Sequence, residues 1–192
     1  MADDIALEKR AGLPPAGTWR FDQAHTRIGF VARHMLSRVH GRFSAFDGTV
    51  VIAERPEDSS VEVEIDAGSI GTDTEMRDNH LRSGDFLEIE TYPKLTFRST
   101  ELRPTGESTF DLVGDLTIKD TTREVVLSAE FLGWGAGPNP DAPPLAAFYA
   151  TTEIDREDWD MTWNVVVETG GWLVGKTVRI EIDAEINPAD DD

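Results

Sequence analysis

Val178-Arg179-Ile180-Glu181-Ile182-Asp183-Ala184-Glu185-Ile186 places an apolar residue at every second position and a charged one at each position between. Side chains of a strand point alternately to its two faces, so this stretch has one dry face and one wet face. A sheet solvated on one side and packed on the other is antiparallel. The same period recurs upstream. Val61, Val63, Ile65 and Ala67 alternate with Glu62, Glu64 and Asp66; Phe110, Leu112, Gly114, Leu116 and Ile118 form another apolar row; Val125, Leu127, Ala129 and Phe131 form a further one. The pattern predicts strands near 18–23, 25–34, 39–53, 60–67, 94–103, 108–119, 122–132, 146–155 and 172–186.

Several of these strands are long and need partners along their whole length. Closure into a barrel supplies them and removes the edges. The expected fold is therefore all-β: a closed antiparallel barrel of about eight strands. A barrel of that size is either filled by its own side chains or holds one small ligand, and that fork is the functional question.

Punctuation sets the domain boundaries. Gly12-Leu13-Pro14-Pro15-Ala16-Gly17 breaks any regular element, so residues 1–16 read as a flexible arm, 17–187 as a single domain and 188–192 as an acidic tail. One insert, 72–86, departs from period two. Thr72-Asp73-Thr74-Glu75 has the form of a capping box, with Thr72 as N-cap and Glu75 at N3, and Gly84 is a stop signal. A short helix here would cover a barrel mouth.

A net charge of −19 argues against a nucleic-acid backbone or an anionic membrane surface as partner, since both require clustered Lys and Arg. No cysteine is present, which removes disulfides and thiolate chemistry. The start Met1-Ala2-Asp3-Asp4-Ile5 lacks a signal-peptide apolar run, and no segment is apolar enough to span a bilayer as a helix, so a cytoplasmic protein is expected.

Chemistry-bearing residues are sparse. His25, His34, His40 and His80 show no HxH or HExxH spacing, so no metal and no cofactor are expected. There is no GxSxG, no SxxK and no phosphate-binding loop. The densest polar run is Arg77-Asp78-Asn79-His80-Leu81-Arg82-Ser83-Gly84-Asp85-Phe86. Its charges would either pair as a scaffold or present Arg to an anionic head group. The aromatic residues on apolar faces either pack a core or line a tunnel for a long apolar ligand. Ten buried CH2 equivalents would contribute about 8 kcal/mol gross, so a lipid needs little polar machinery to be held.

Four ordered blocks resemble the YceI-like family. They are Trp19 to Phe30 with Arg33-His34-Met35 and Val39-His40-Gly41-Arg42-Phe43; Arg77 to Phe86; Tyr92-Pro93-Lys94-Leu95-Thr96-Phe97; and Gly114-Asp115-Leu116-Thr117-Ile118-Lys119-Asp120-Thr121-Thr122-Arg123. The resemblance implies a lipocalin-like barrel holding a polyisoprenoid or similar amphiphilic lipid in an elongated cavity. Asp120 stands where the family often has Gly, and Arg156-Glu157-Asp158-Trp159-Asp160 stands where it tends to have Arg-x-Asp-Phe-Gly.

The resulting expectation is a non-enzymatic carrier or storage barrel for a polyisoprenoid, an isoprenoid quinone or a fatty-acyl derivative. Phe30, Phe43, Phe86, Phe97, Leu112, Leu116, Leu127, Phe131, Phe148 and Ile180 would contact the lipid, with His80, Arg82 and Asp85 near the mouth. Two alternatives stay open: an enzyme acting on an isoprenoid or quinone with His80 as acid/base, and a packed interaction module, for which a homodimer through an exposed sheet face is expected.

Overall fold

The computed structural model describes residues 12–137, 139, 142–168 and 170–189. Most of the expected arm and most of the expected acidic tail lie outside the described residues. Among the described residues there are eleven strands and one α-helix: β1 (Gly17–Phe21), β2 (Arg27–His34), β3 (Ser37–Phe43), β4 (Phe46–Ile52), β5 (Ser60–Asp66), β6 (Ile70–Gly71), α1 (Glu75–Arg82), β7 (Lys94–Pro104), β8 (Thr109–Ile118), β9 (Thr121–Gly135), β10 (Leu145–Asp155) and β11 (Val174–Pro188).

Eight of these strands close into an antiparallel ring in the order β1-β4-β5-β7-β8-β9-β10-β11, with β11 returning to β1. The length of β11 makes this possible. Its C-terminal end pairs with β1 through Ile186–Pro188, while its earlier part pairs with β2 from Val174 to Asp183. The β2–β3 hairpin and the two-residue β6 continue the sheet beyond the ring.

The strand expected over 39–53 is two strands. Its two halves have different neighbours: β3 joins β2 and β6, whereas β4 joins β1 and β5. The break falls at Ser44-Ala45, where Ser44 N–H donates to Ser69 O and Ala45 O accepts from Asp66 N–H. The hydrogen bonds that redirect the chain are thus all non-local.

The capping box is also displaced. Helix α1 starts at Glu75, two residues later than expected, with Thr74 at the N-cap position and no side-chain cap bond. Thr72 is buried and works differently: its N–H and Oγ1–H both donate to Asp78 Oδ1. Arg77 closes the same knot, donating from Nε to Thr72 Oγ1 (2.6 Å) and from Nη2 to Thr72 O (2.8 Å). The helix stops at Ser83, not Gly84, through Ser83 N–H and Oγ–H donating to His80 O.

Two core clusters divide the interior. The larger runs from Phe46, Ile65 and Leu95 to Phe86, Leu87, Ile118 and Ile154, under α1 and segment 83–93. The smaller, built on Trp19, Val50, Ile52, Ala146 and Ile186, lies toward the opposite end. Among the described residues no helix is long and apolar enough to cross a membrane.

Candidate functional site

The inward rows of the strands surround an elongated cavity of about 290 Å³. An empty cavity of about half that volume, lined by Leu, Ile and Phe, stays dry and takes up an apolar molecule. On β8 the row is Phe110, Leu112, Leu116 and Ile118; on β11 it is Val178, Ile180, Ile182, Ala184 and Ile186. Eight residues separate Phe110 from Ile118, which at about 3.4 Å each gives about 27 Å along the strand, or about 20 Å along the axis of a barrel whose strands tilt by about 40°.

Two local devices keep this space open. A bulge between Ser99 and Glu101 shifts the register of β7, so Leu95 and Phe97 line the cavity from odd positions and Leu102 from an even one. Glycines beneath the aromatic rings let those rings lie against the wall. A Cβ on Gly114 would sit 2.5 Å from Phe97 Cζ and 2.6 Å from Arg98 O, and a Cβ on Gly41 would collide with the Phe30 ring.

Of the residues expected to contact a lipid, Phe30, Phe43, Phe86, Phe97, Leu112, Leu116, Leu127, Phe148 and Ile180 all line this cavity. Phe131 does not. It packs on the smaller cluster, its ring 5.2 Å from that of Phe148, which does line the lumen.

The polar residues expected at the mouth do not line the cavity either. Arg82 is a strut: Nε donates to Gly68 O (2.9 Å), Nη2 to Ile70 O (2.7 Å) and Nη1 to Asn79 Oδ1 (3.2 Å). His80 Nε2 and Asp85 Oδ2 are 2.8 Å apart, and the imidazole stands edge-on to Trp163 and Phe86 at 4.4 and 5.1 Å between ring centroids. These groups fasten the cover over the lumen. Arg77, Asp78, Arg82 and Asp85 therefore serve as scaffold.

Three tryptophans lie between β10 and β11. Trp159 is buried and donates from Nε1 to Leu116 O (3.2 Å), Trp163 packs on His80, and Trp172 is exposed.

One residue escaped the sequence reading. Arg156 is 2% exposed and lines the cavity beside Phe86 and Met161. Its Nε donates to Gly175 O (3.0 Å), its Nη1 to Met161 O, and its Cζ lies 5.8 Å from the centroid of the Phe86 ring. Nη2 is buried with no protein partner. Burial lowers the pKa of this guanidinium, against the opposing pull of Glu157 and Asp155. A signal was available: Phe148, Ala150, Thr152 and Ile154 are the inward row of β10, and Arg156 is its next member. Among the described residues, Ser59, Ser60, Thr152 and Arg156 are the only polar side chains in the lining.

The sequence from 19 to 186 matches the family model described as the YceI-like domain. The chain belongs to the YceI-like family. Among curated proteins, a UPF0312 protein of Ectopseudomonas mendocina is 35% identical over 84% of this chain and 78% of its own, and one from Staphylococcus aureus is 36% identical over 87% and 95%. Among solved structures, Burkholderia cenocepacia BcnA shares the fold at a TM-score of 0.71, with 22% identity over 86% of this chain and 98% of its own. A polyisoprenoid-binding domain from Saccharophagus degradans, implicated in plant cell wall breakdown, superposes at 0.65, with 14% identity over 89% and 98%.

Set beside the YceI-like pattern, two departures acquire a structural meaning. Asp160 has φ 59°, the left-handed conformation for which the family's usual Gly is suited. At the β8–β9 hairpin the left-handed residue is Lys119, at φ 57°, the residue before Asp120.

One group of potential metal ligands occurs among the described residues: Asp22, His25 and Glu185. It lies outside the lumen at the β1–β2 turn. His25 Nδ1 is 3.0 Å from Asp22 Oδ2 and 3.8 Å from Glu185 Oε1, which accounts for the carboxylates as partners of the imidazole. The hydrogen bond to Asp22, and then its charge, raise the His25 pKa; the same bond lowers that of Asp22.

Proposed function

We propose that this YceI-like barrel holds one long-chain amphiphilic lipid in its central cavity and hands it on chemically unchanged, as a carrier or store. The observation that carries the reading is the character of the lumen. It is about 290 Å³, elongated, and walled by aliphatic and aromatic side chains. Such a space has no use for water and gains about 0.8 kcal/mol for each CH2 it removes from water. A polyisoprenoid, an isoprenoid quinone or a fatty-acyl chain fits this chemistry, and the polyisoprenoid-binding neighbour of the same fold points the same way.

The reading as a binder and not an enzyme rests on the polar inventory. No histidine and no carboxylate lines the cavity among the described residues. His80, the acid/base candidate of the enzyme reading, has its Nε2 on Asp85 and is screened from the lumen by Phe86 and Leu81, which do line it.

The test is uptake of a tail-length series by the delipidated protein: geraniol, farnesol and geranylgeraniol, followed by tryptophan fluorescence or calorimetry. Affinity should rise steeply with each added isoprene unit until the lumen is full. Absence of uptake, or affinity independent of tail length, would refute the reading.

A further inference from the structure

We infer that Arg156 is the head-group contact of this cavity and that it selects amphiphiles bearing an anionic oxygen, a long-chain carboxylate or phosphate monoester, over neutral lipids with the same tail. This deepens the proposed function and rests on the cavity being a lipid site.

Arg156 occupies an unusual position. A guanidinium cannot discharge its cost of burial by losing its proton, so in an apolar wall it is retained only where its charge and its N–H groups find partners. Two of its nitrogens have them, but both partners are neutral backbone carbonyls, Gly175 O and Met161 O. Among the described residues no carboxylate bonds it. Asp155 Oδ1 accepts from Glu157 N–H, and Glu157 Oε2 is taken by Lys176 Nζ at 2.6 Å. The third nitrogen, Nη2, is buried and unpartnered. The cation is therefore held by two struts, with one donor nitrogen left over, in the wall of a cavity otherwise almost devoid of polar groups.

Charge-assisted bonds from a guanidinium to a carboxylate or phosphate oxygen are about twice as strong as neutral ones. In this wall such an oxygen would supply both what Nη2 lacks and a directly bonded counter-charge, since Glu157 and Asp155 act on Arg156 only through space. The surroundings fix the orientation. Arg156 sits beside Phe86 and Met161, at the end covered by α1 and 83–93, while the lumen runs away from it along Ile154, Thr152, Ala150 and Phe148. The head group lies against the cover and the tail extends toward the smaller core cluster.

The experiment compares tail-matched pairs on the delipidated full chain: oleate against oleyl alcohol, and farnesyl phosphate against farnesol, in the wild type and in Arg156→Gln. In the wild type the anionic member of each pair should bind at least about tenfold more tightly, equivalent to about 1.4 kcal/mol. In R156Q that ratio should collapse toward unity. Preference for oleate but not farnesyl phosphate, or the converse, tells whether the site takes carboxylates or phosphates. Equal binding of acid and alcohol in the wild type overturns the inference but leaves the cavity reading intact. No binding of any of the four probes overturns the cavity reading and the inference with it. A ratio that persists in a folded R156Q overturns the role of Arg156. Should R156Q fail to fold, the side-chain 15N resonances of Arg156 in the wild type decide: they should shift with oleate and not with oleyl alcohol, and an unmoved signal under saturating oleate refutes the contact.

Discussion

Replacing Ala150 by Leu distinguishes an open lumen from a packed one by the sign of the effect. Ala150 lines the cavity and pairs across β9 with Ala129, another small residue of the lining, so this part of the wall leaves room. A leucine adds three carbons. If they enter empty space they contribute about 2.4 kcal/mol gross at about 0.8 each. The lost rotamer freedom of a leucine returns about 0.5–1 kcal/mol of that. The expected outcome is a delipidated A150L protein more stable than wild type by about 1–2 kcal/mol, read from the urea midpoint at unchanged slope. In a barrel of this size that corresponds to a rise in Tm of roughly 2–8 °C. Overpacking of a filled core would instead cost about 1–3 kcal/mol. Delipidation matters, because a bound ligand stabilises by mass action and would mask the difference. Farnesol uptake should weaken in the same variant. A clear loss of stability in apo A150L, with the wild-type slope, would refute the open lumen.

Other perturbations have defined outcomes. Leu116→Arg places a charge in the middle of the apolar wall and should abolish farnesol uptake while far-UV circular dichroism still reports a barrel; uptake by a folded L116R would remove Leu116 from the binding wall. Gly114→Ala forces a Cβ against Phe97 and the carbonyl of Arg98, and should cost about 1–3 kcal/mol in urea unfolding; a neutral effect would show that the ring-over-glycine packing is dispensable. Asp78→Ala strands the buried N–H and hydroxyl of Thr72 and should destabilise by about 2–4 kcal/mol, with faster hydrogen exchange across α1; an unchanged midpoint would contradict the knot. His25 should titrate above its ordinary 6.5 by NMR, because Asp22 favours its charged form. The stabilising contribution of this pair is present below the unfolded His pKa and lost as pH rises through the raised one. At the acidic side it is lost as pH falls through the lowered Asp22 pKa. Asp22→Asn should bring His25 back toward 6.5, and an unchanged titration would dissociate the two.

Strands β8, β9 and β11 were legible because burial on one face leaves a period-two record in each residue pair, as in Val178 to Ile186. The division of 39–53 into β3 and β4 was not, because Ser44-Ala45 carries neither Gly nor Pro; the break is made by Ser69 and Asp66, which are remote in sequence. The helix start was misplaced for a related reason. Thr72 has the composition of a cap, but its hydroxyl goes to Asp78, within the helix, and not to the first-turn amides. Phe131 has the right face and stands opposite Phe148, yet it packs on the cluster of Trp19 and Ala146, a tertiary placement that alternation does not record. The polar run 77–86 attracted attention through its density, yet Arg82 spends its donors on the backbone carbonyls of Gly68 and Ile70 and on Asn79. Arg156 was overlooked although the β10 alternation led directly to it.

The most direct test of the central claim is native mass spectrometry of the purified protein, followed by organic extraction and identification of what is released. The account predicts one amphiphile per chain, either copurifying or taken up by the delipidated protein from added polyprenyl or fatty-acyl lipids. A mass equal to the bare chain that stays unchanged in the presence of those lipids would contradict it.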